Sequence, residues 1–187
     1  MFRENDLSFS LYFYFLIFIK KYVIIYISNE ERTIKTMKIY LAGSCGIERR
    51  TEMKRIAEEL RKEYDVYCPF ELKIENAWDM PQEAWAQRVF EADVAQIDAC
   101  DCMVVITPGR QSTAGTNWEQ GYAYARGKKV YVFQYTNEPT SLMTYCGCGN
   151  FYDAHQVAED GDLPKIIRFT LANDFFSPKR KTKTVLT

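Results

Sequence analysis

Short apolar runs alternate along the chain with longer segments in which apolar residues recur every three or four positions. The short runs predict β-strands at 38–42, 65–70, 102–107 and 129–134. The helical spacing predicts α-helices at 46–64, 81–99, 116–127 and about 163–173. Strands that alternate with helices favour a parallel sheet covered on both faces, so we expect an α/β fold of three layers.

The two ends of the chain depart from this pattern. Residues 7–27 read LSFSLYFYFLIFIKKYVIIYI, in which two apolar pieces flank Lys20 and Lys21. Each piece is too short to span a bilayer, and no small-residue cleavage site of a signal peptide follows. We therefore expect residues 1–36 to be an extension outside the fold, with a membrane anchor as the alternative. The functional chain is then expected to start at Met37, with a domain at 37–176 and a solvated basic tail at 177–187.

Composition excludes several kinds of partner. The formal net charge is −1, so no overall positive field attracts nucleic acid. Six cysteines form no CxxC pair and accompany only one histidine, His155, which predicts neither a zinc site nor any other metal site. The chain is expected to be a reduced, cytoplasmic protein. The CGC triplet at 146–148 leaves a redox pair as an alternative.

Three loops follow the predicted strands, at the edge where parallel sheets bind ligands. They read AGSCG after the first strand, ELKIENAWD after the second and PGRQSTAGT after the third. Glycine and serine in AGSCG indicate a tight strand-to-helix turn, and they also suit a loop whose backbone amides approach a phosphate.

Two carboxylates are candidates for chemistry near this edge. Glu119 ends the sequence TNWE, a capping box with Thr116 as N-cap and Glu119 at the third helical position. The helix N-terminus is expected to keep this carboxylate ionised, which also suits a nucleophile. Asp93 shares one helix face with Trp85 and Val89, and its alternative role is a cap or an ion pair with a base such as Arg88.

Several motifs together resemble the nucleoside 2-deoxyribosyltransferase family. They are KIYLAGS, WAQRVFEADVAQI, CDCMVVITPG, GTNWEQGYAYARGK and SLMTY, in that order between residues 38 and 145. The resemblance implies a Rossmann-like (flavodoxin-like) α/β domain that forms homo-oligomers, takes a nucleoside or nucleotide as substrate and requires no cofactor.

The resemblance also implies roles for single residues. Glu119 matches the catalytic glutamate that attacks the anomeric carbon, Tyr40 matches a tyrosine that hydrogen-bonds this glutamate, and Asp93 matches the aspartate that assists protonation of the leaving base. Trp85 and Phe90 resemble aromatic residues of the base pocket.

The resemblance also assigns other residues to the part of the site that binds the sugar end of the substrate. Ser141 and Met143 match residues that a neighbouring subunit inserts into the site. Gly43 and Ser44 in the first loop, and Gly115 in the GT pair, are expected to contact substrate.

Three departures bear on the substrate. Thr113 stands where transferases of the family usually carry aspartate, and Ser141 stands where they usually carry asparagine; Ser44 is also unusual for them. A related branch, the 2′-deoxynucleoside 5′-monophosphate N-hydrolases, has small hydroxyl residues at all three places, where they hold the 5′-phosphate. We therefore expect hydrolysis of a nucleoside 5′-monophosphate, with base exchange as the alternative and a non-catalytic nucleotide sensor as the rival of another class.

Overall fold

The computed structural model describes residues 36–44 and 46–174. The expectations for residues 1–35 and 177–187 lie outside the described residues. Five strands alternate with helices: β1 (Lys38–Gly43), α1 (Ile47–Leu60), β2 (Asp65–Tyr67), α2 (Gln82–Ala99), β3 (Cys102–Thr107), α3 (Ala114–Ala125), β4 (Lys129–Gln134), α4 (Leu142–Cys146), β5 (Asn150–Asp153), α5 (His155–Glu159) and α6 (Leu163–Asp174).

The five strands form one parallel sheet in the order β2-β1-β3-β4-β5. From β1 the chain moves outward to β2 and then returns to the other side of β1 as β3. This reversal opens a crevice between the carboxyl ends of β1 and β3, which is where ligands bind in sheets of this order. The predicted α/β, flavodoxin-like fold is confirmed.

Helices cover both faces of the sheet, because the central strands are apolar on both sides. In β1, Ile39 and Leu41 pack into one buried cluster with residues of α1 and α6, whereas Tyr40 and Ala42 pack into a second cluster with residues of α2 and α3. All four side chains are fully buried. Tyr40 therefore points to the side of the sheet on which α2 and α3 lie.

Some predicted boundaries were wrong. β2 ends at Tyr67 instead of residue 70, because Pro69 has no N–H to continue the ladder and begins a 3₁₀ turn, Pro69–Glu71. α3 begins two residues earlier than predicted. The sequence pattern did not predict β5, α4 and α5, because each has only four or five residues, too few for a periodic pattern to emerge.

Candidate active site

A cavity of about 460 Å³ opens at the carboxyl ends of β1 and β3. The loop after β3 turns sharply at Gly109, whose φ of 92° is unfavourable for other residues. The cavity is rich in hydroxyl groups; its lining includes Ser44, Ser112, Thr113, Thr116, Tyr135 and Thr136. Arg49 and Glu138 also line it.

Glu119 lies on α3 and is held by Tyr40 from β1. The Tyr40 hydroxyl donates to Glu119 Oε1 at 2.9 Å. Burial raises the pKa of Glu119 to about 7, and the nearby charge of Asp93 adds to the rise, while the hydrogen bond from Tyr40 opposes it. The expectation that the helix N-terminus holds this carboxylate ionised was therefore wrong: loss of solvent outweighs it.

The predicted capping box was also wrong. Thr113 is the N-cap of α3, and its hydroxyl oxygen accepts from the backbone N–H of Thr116 at 3.3 Å. Glu119 thus lies in the second turn of α3, beyond the free N–H groups of the helix end. Its side chain reaches Tyr40, so it serves no capping function.

Asp93 lies on α2 and is held by a second tyrosine. The Tyr67 hydroxyl donates to Asp93 Oδ1 at 2.7 Å, so this contact stands in place of the ion pair with Arg88 that was the alternative role of Asp93. Burial raises the pKa of Asp93 above its ordinary value, while the hydrogen bond from Tyr67 opposes the rise. Asp93 is close enough to Glu119 for its charge to raise the Glu119 pKa.

The two tyrosines come from neighbouring strands at positions that pair in register. Tyr40 on β1 pairs with Tyr67 on β2, and their ring centroids are 5.4 Å apart. Burial, followed by the nearby carboxylates, raises the pKa of both hydroxyls, so both remain donors at neutral pH. Sequence reasoning missed Tyr67; its only signal was its place at the carboxyl end of a predicted strand.

Arg49 is the second residue that sequence reasoning missed. It lies in the first turn of α1, and its guanidinium carbon is 4.3 Å from the centroid of the Tyr135 ring. Among the carboxylates whose side chains the structure describes, none forms an ion pair with Arg49. Arg49 therefore brings a positive charge to a cavity whose lining also contains the carboxylate of Glu138, and among the described side chains no ion pair joins the two.

The predicted sugar-end residues separate into two places. Ser44 and Thr113 line the cavity with Arg49, but Ser141 and Met143 line another cavity of about 450 Å³ beside α3 and α4. Met143 is 82% exposed. A ring of Ser44, Thr113 and Ser141 does not form within one chain, so it requires Ser141 from another copy.

The remaining predicted contacts are not among the residues that line these two cavities. Gly43 ends β1 and packs so tightly that a Cβ there would come within 2.7 Å of the end of the Met53 side chain. Gly115 lies exposed in the first turn of α3. Trp85 and Phe90 are about half exposed on α2, and Phe90 contacts Trp118 with ring centroids 5.2 Å apart.

Neither a metal-ligand cluster nor a membrane-spanning helix occurs within the described part of the chain. Residues 36–44 and 46–174 contain no group of three metal-ligating His, Cys, Asp or Glu side chains. Over the same ranges, no helix combines the length and apolar character of a bilayer crossing. The CGC cysteines, Cys146 and Cys148, are free thiols.

The arrangement suits glycosidic chemistry. Two carboxyl groups, each oriented by a tyrosine, lie near one another at the ligand-binding edge of the sheet. Cleavage of a glycosidic bond uses one carboxylate against the sugar carbon and one acid for the leaving group. The raised pKa values of both groups are typical of such sites.

Comparisons with known proteins agree with this interpretation. A profile described as nucleoside 2-deoxyribosyltransferase matches residues 39–165. The 2-deoxyribosyltransferase of Bacillus psychrosaccharolyticus is similar in structure, with a TM-score of 0.54 and 27% identity over 66% of this chain and 90% of that one. A conserved protein of Enterococcus faecalis V583 is similar with a TM-score of 0.55 and 20% identity over 70% of this chain and 99% of that one.

A CMP N-glycosidase of Clostridium botulinum also matches, with a TM-score of 0.45 and 17% identity over 70% of this chain and 97% of that one. No curated protein matches the chain in sequence. The family profile spans well over half of the chain and includes Tyr40, Asp93 and Glu119. The chain therefore belongs to the nucleoside 2-deoxyribosyltransferase family and is an enzyme that acts on the N-glycosidic bond of nucleosides or nucleotides.

Proposed function

We propose that this enzyme hydrolyses the N-glycosidic bond of a nucleoside 5′-monophosphate through a covalent intermediate on Glu119. The observation that carries the choice of substrate is the cavity that combines Arg49 with a set of hydroxyl groups. A nucleoside without phosphate offers no anion for this cation to bind.

Glu119 supplies the nucleophile. Tyr40 occupies Oε1, so Oε2 is the oxygen free to attack the anomeric carbon. The C1′–N bond breaks, its electron pair goes to the base, and a C1′–O bond to Glu119 forms. Water then attacks C1′, and the electron pair of the ester bond returns to Glu119.

Asp93 supplies and recovers the proton. Its raised pKa keeps a larger fraction protonated than an exposed aspartic acid at the same pH. The proton passes to the departing base and is replaced in the second step by a proton from water. Overall, one nucleotide and one water give one free base and one sugar phosphate, the enzyme is regenerated, and no cofactor takes part.

The 5′-phosphate is assigned to the cavity that Ser44, Arg49, Thr113 and Thr116 line, and Thr116 lies three residues before Glu119 on α3. Thr113 Oγ1 lies 2.8 Å from Thr116 Oγ1 and also accepts from the Thr116 N–H. When Thr116 donates its hydroxyl proton to Thr113, the Thr113 hydroxyl keeps its own proton for a phosphate oxygen. Arg49 supplies the charge, and the Tyr135 ring keeps its guanidinium in place.

A substrate panel tests this proposal. The full chain is incubated with nucleosides and their 5′-monophosphates, with and without a second free base, and products are separated by chromatography. We expect base release from monophosphates without an acceptor. Exchange that requires the second base would instead establish the transferase activity that the Bacillus psychrosaccharolyticus relative carries, and no reaction on any substrate would contradict cleavage itself.

Replacing Glu119 by glutamine tests the nucleophile. Glu119→Gln still accepts the hydrogen bond from Tyr40, so we expect the fold to persist while turnover falls by about 10³-fold or more, since the attacking carboxylate is gone. Glu91→Gln, an exposed change on α2, is the matched control and should keep wild-type turnover.

Mass spectrometry gives an independent test of the same residue. A slow 2′-fluoro substrate should add one sugar, or sugar phosphate, mass to the wild-type peptide that contains Glu119. Wild-type turnover in Glu119→Gln, or a label on another peptide, would refute the assignment.

A further inference from the structure

We propose that Tyr67 is a positioning residue that holds Asp93 Oδ1, so that the proton given to the leaving base is carried on Asp93 Oδ2. The inference rests on the proposed function, in which Asp93 is the acid. It assigns a role to a residue that the sequence motifs do not include.

The geometry of the contact supports this assignment. Tyr67 Oη donates to Asp93 Oδ1 at 2.7 Å, a short distance typical of a hydroxyl that donates to a carboxylate. An oxygen that already accepts this proton is the poorer site for a second one. The acidic proton of Asp93 therefore belongs on Oδ2.

The surroundings keep Tyr67 in the donor role. Its ring packs against Tyr40 with centroids 5.4 Å apart, and the two residues pair in register on β2 and β1. The Asp93 carboxyl accepts from Tyr67 on β2, and its charge also acts on Tyr40 from β1 and on Glu119 from α3. Tyr40 donates to Glu119, so Tyr67 is the tyrosine assigned to Asp93.

Each tyrosine thus orients one of the two acids: Tyr40 holds Glu119 and Tyr67 holds Asp93. Both hydroxyls come from adjacent strand ends, and each fixes one oxygen of one carboxyl group. In the cleavage step the C1′–N bond breaks, its electron pair goes to the base nitrogen, and the proton moves from Asp93 Oδ2 to the base. Tyr67 keeps its proton throughout and continues to donate to Oδ1.

The test compares substrates that need an acid with substrates that do not. Tyr67→Phe removes the hydroxyl and keeps the ring packing against Tyr40. Tyr122→Phe is the matched control, because it removes a hydroxyl that donates to Asp98 on the same helix, away from the proposed acid. Each variant is assayed on the nucleotide that the panel identifies and on the same nucleotide with a base that leaves more readily. The replacement is 7-methylguanine for guanine, or 5-fluorouracil for uracil.

We expect Tyr67→Phe to lose about 10²-fold in kcat on the natural base, within the range that a positioned acid contributes, and to stay within about threefold of wild type on the activated base. Asp93→Asn should show the same selectivity, and Tyr122→Phe should lose on neither substrate. Equal losses of Tyr67→Phe on both bases would overturn the inference, as would full activity on the natural base. Failure of the proposed function looks different, because wild type then cleaves neither substrate or Glu119→Gln stays active.

A spectroscopic measurement does not depend on turnover. The Asp93 carboxyl is followed by infrared titration as the difference between each variant and the same variant with Asp93→Asn. The hydrogen bond from Tyr67 favours the ionised form, so Tyr67→Phe should raise the apparent pKa of Asp93, whereas Tyr122→Phe should leave it in place. An unchanged titration in folded Tyr67→Phe would overturn the inference.

Discussion

At the scale of single residues, Glu119 as the proposed nucleophile must meet two opposing demands. A nucleophile must be ionised, yet burial raises the Glu119 pKa to about 7. The site therefore holds a carboxylate whose charge is poorly solvated, which makes it more reactive and the fold less stable.

This pKa predicts the acid limb of the rate profile. Only the ionised form of Glu119 attacks, so on a substrate with an activated base, which does not need the Asp93 proton, kcat/KM should rise about tenfold per pH unit below pH 7 and level off above it. The measurement is kcat/KM between pH 5 and pH 9, repeated on the nucleoside to separate the titration of the substrate phosphate. A profile that stays flat down to pH 5 on both substrates would contradict the raised pKa.

The same pKa predicts a stability change with a defined sign. The Glu119 pKa rises from 4.5 to about 7 on folding, so between these values the folded chain binds more protons than the unfolded chain and loses stability as pH rises. Glu119→Gln removes this loss. The free energy of unfolding of Glu119→Gln, relative to that of wild type, should therefore grow between pH 4.5 and pH 7 by at most about 3 kcal/mol. The difference in Tm between the two proteins, measured across this range, should grow with it. A gap that is constant or shrinks with pH would contradict this sign.

At the scale of elements, the N-terminus of α3 has both a structural and a binding role. Thr113 caps the helix and faces the cavity that contains Arg49. Any test of Thr113 as a phosphate ligand must therefore keep the cap.

Thr113→Asp meets this condition, since aspartate is a strong N-cap. It also places a negative charge beside the proposed phosphate, at a cost on the order of 4 kcal/mol for a charge pair about 4 Å apart at an effective dielectric near 20. We expect kcat/KM to fall far more on monophosphates than on nucleosides. Thr113→Asn, which caps equally well without the charge, should show little selectivity, and equal losses of Thr113→Asp on both substrates would place the phosphate elsewhere.

At the scale of the whole molecule, the segment 140–145 is the part of the chain that we expect to contact another copy. The segment 140–145 carries Met143 and Leu142, which are 82% and 61% exposed. Ser141 and Met143 line a cavity apart from Ser44 and Thr113. We therefore expect a homo-oligomer in which this segment closes a neighbour's site.

Complementation tests the shared site directly. Glu119→Gln and Met143→Lys are each expected to be inactive, and Met143→Lys is expected to weaken assembly by placing a charge in an apolar contact. Mixing the two after unfolding and refolding should restore part of the activity, because some mixed sites receive wild-type residues from both chains. A fully active monomer in light scattering, or Met143→Lys with normal activity, would contradict the prediction.

The last prediction concerns residues 1–36. A chain that begins at Met37 is expected to fold and keep full activity, because these residues complete no periodic element of the predicted domain. Turnover and circular dichroism of the shortened and full chains are the measurements. An insoluble or inactive shortened chain beside an active full chain would contradict it.

Periodicity alone was sufficient to predict the layers of the fold. The apolar strands β1, β3 and β4 and the helices between them are long enough for their patterns to emerge, and they require a covered parallel sheet. The short elements α4, α5 and β5 were not predicted, because their neighbours in the fold stabilise them and their own sequence has no periodic pattern.

The sequence by itself also indicated Glu119, Asp93 and Tyr40, because they stand in motifs of fixed spacing. The resemblance of these motifs to the family implied a hydrogen bond between Tyr40 and Glu119, and the structure contains it. Tyr67 and Arg49 were not predicted, because their roles depend on strand register and on the approach of α1 to Tyr135. The direction of the Glu119 pKa shift was likewise decided by the tertiary structure. Spacing suggested a carboxylate at the helix end, but Thr113 caps the helix and packing buries the Glu119 carboxyl group. Desolvation depends on everything packed around a group, which the spacing of residues along the chain does not show.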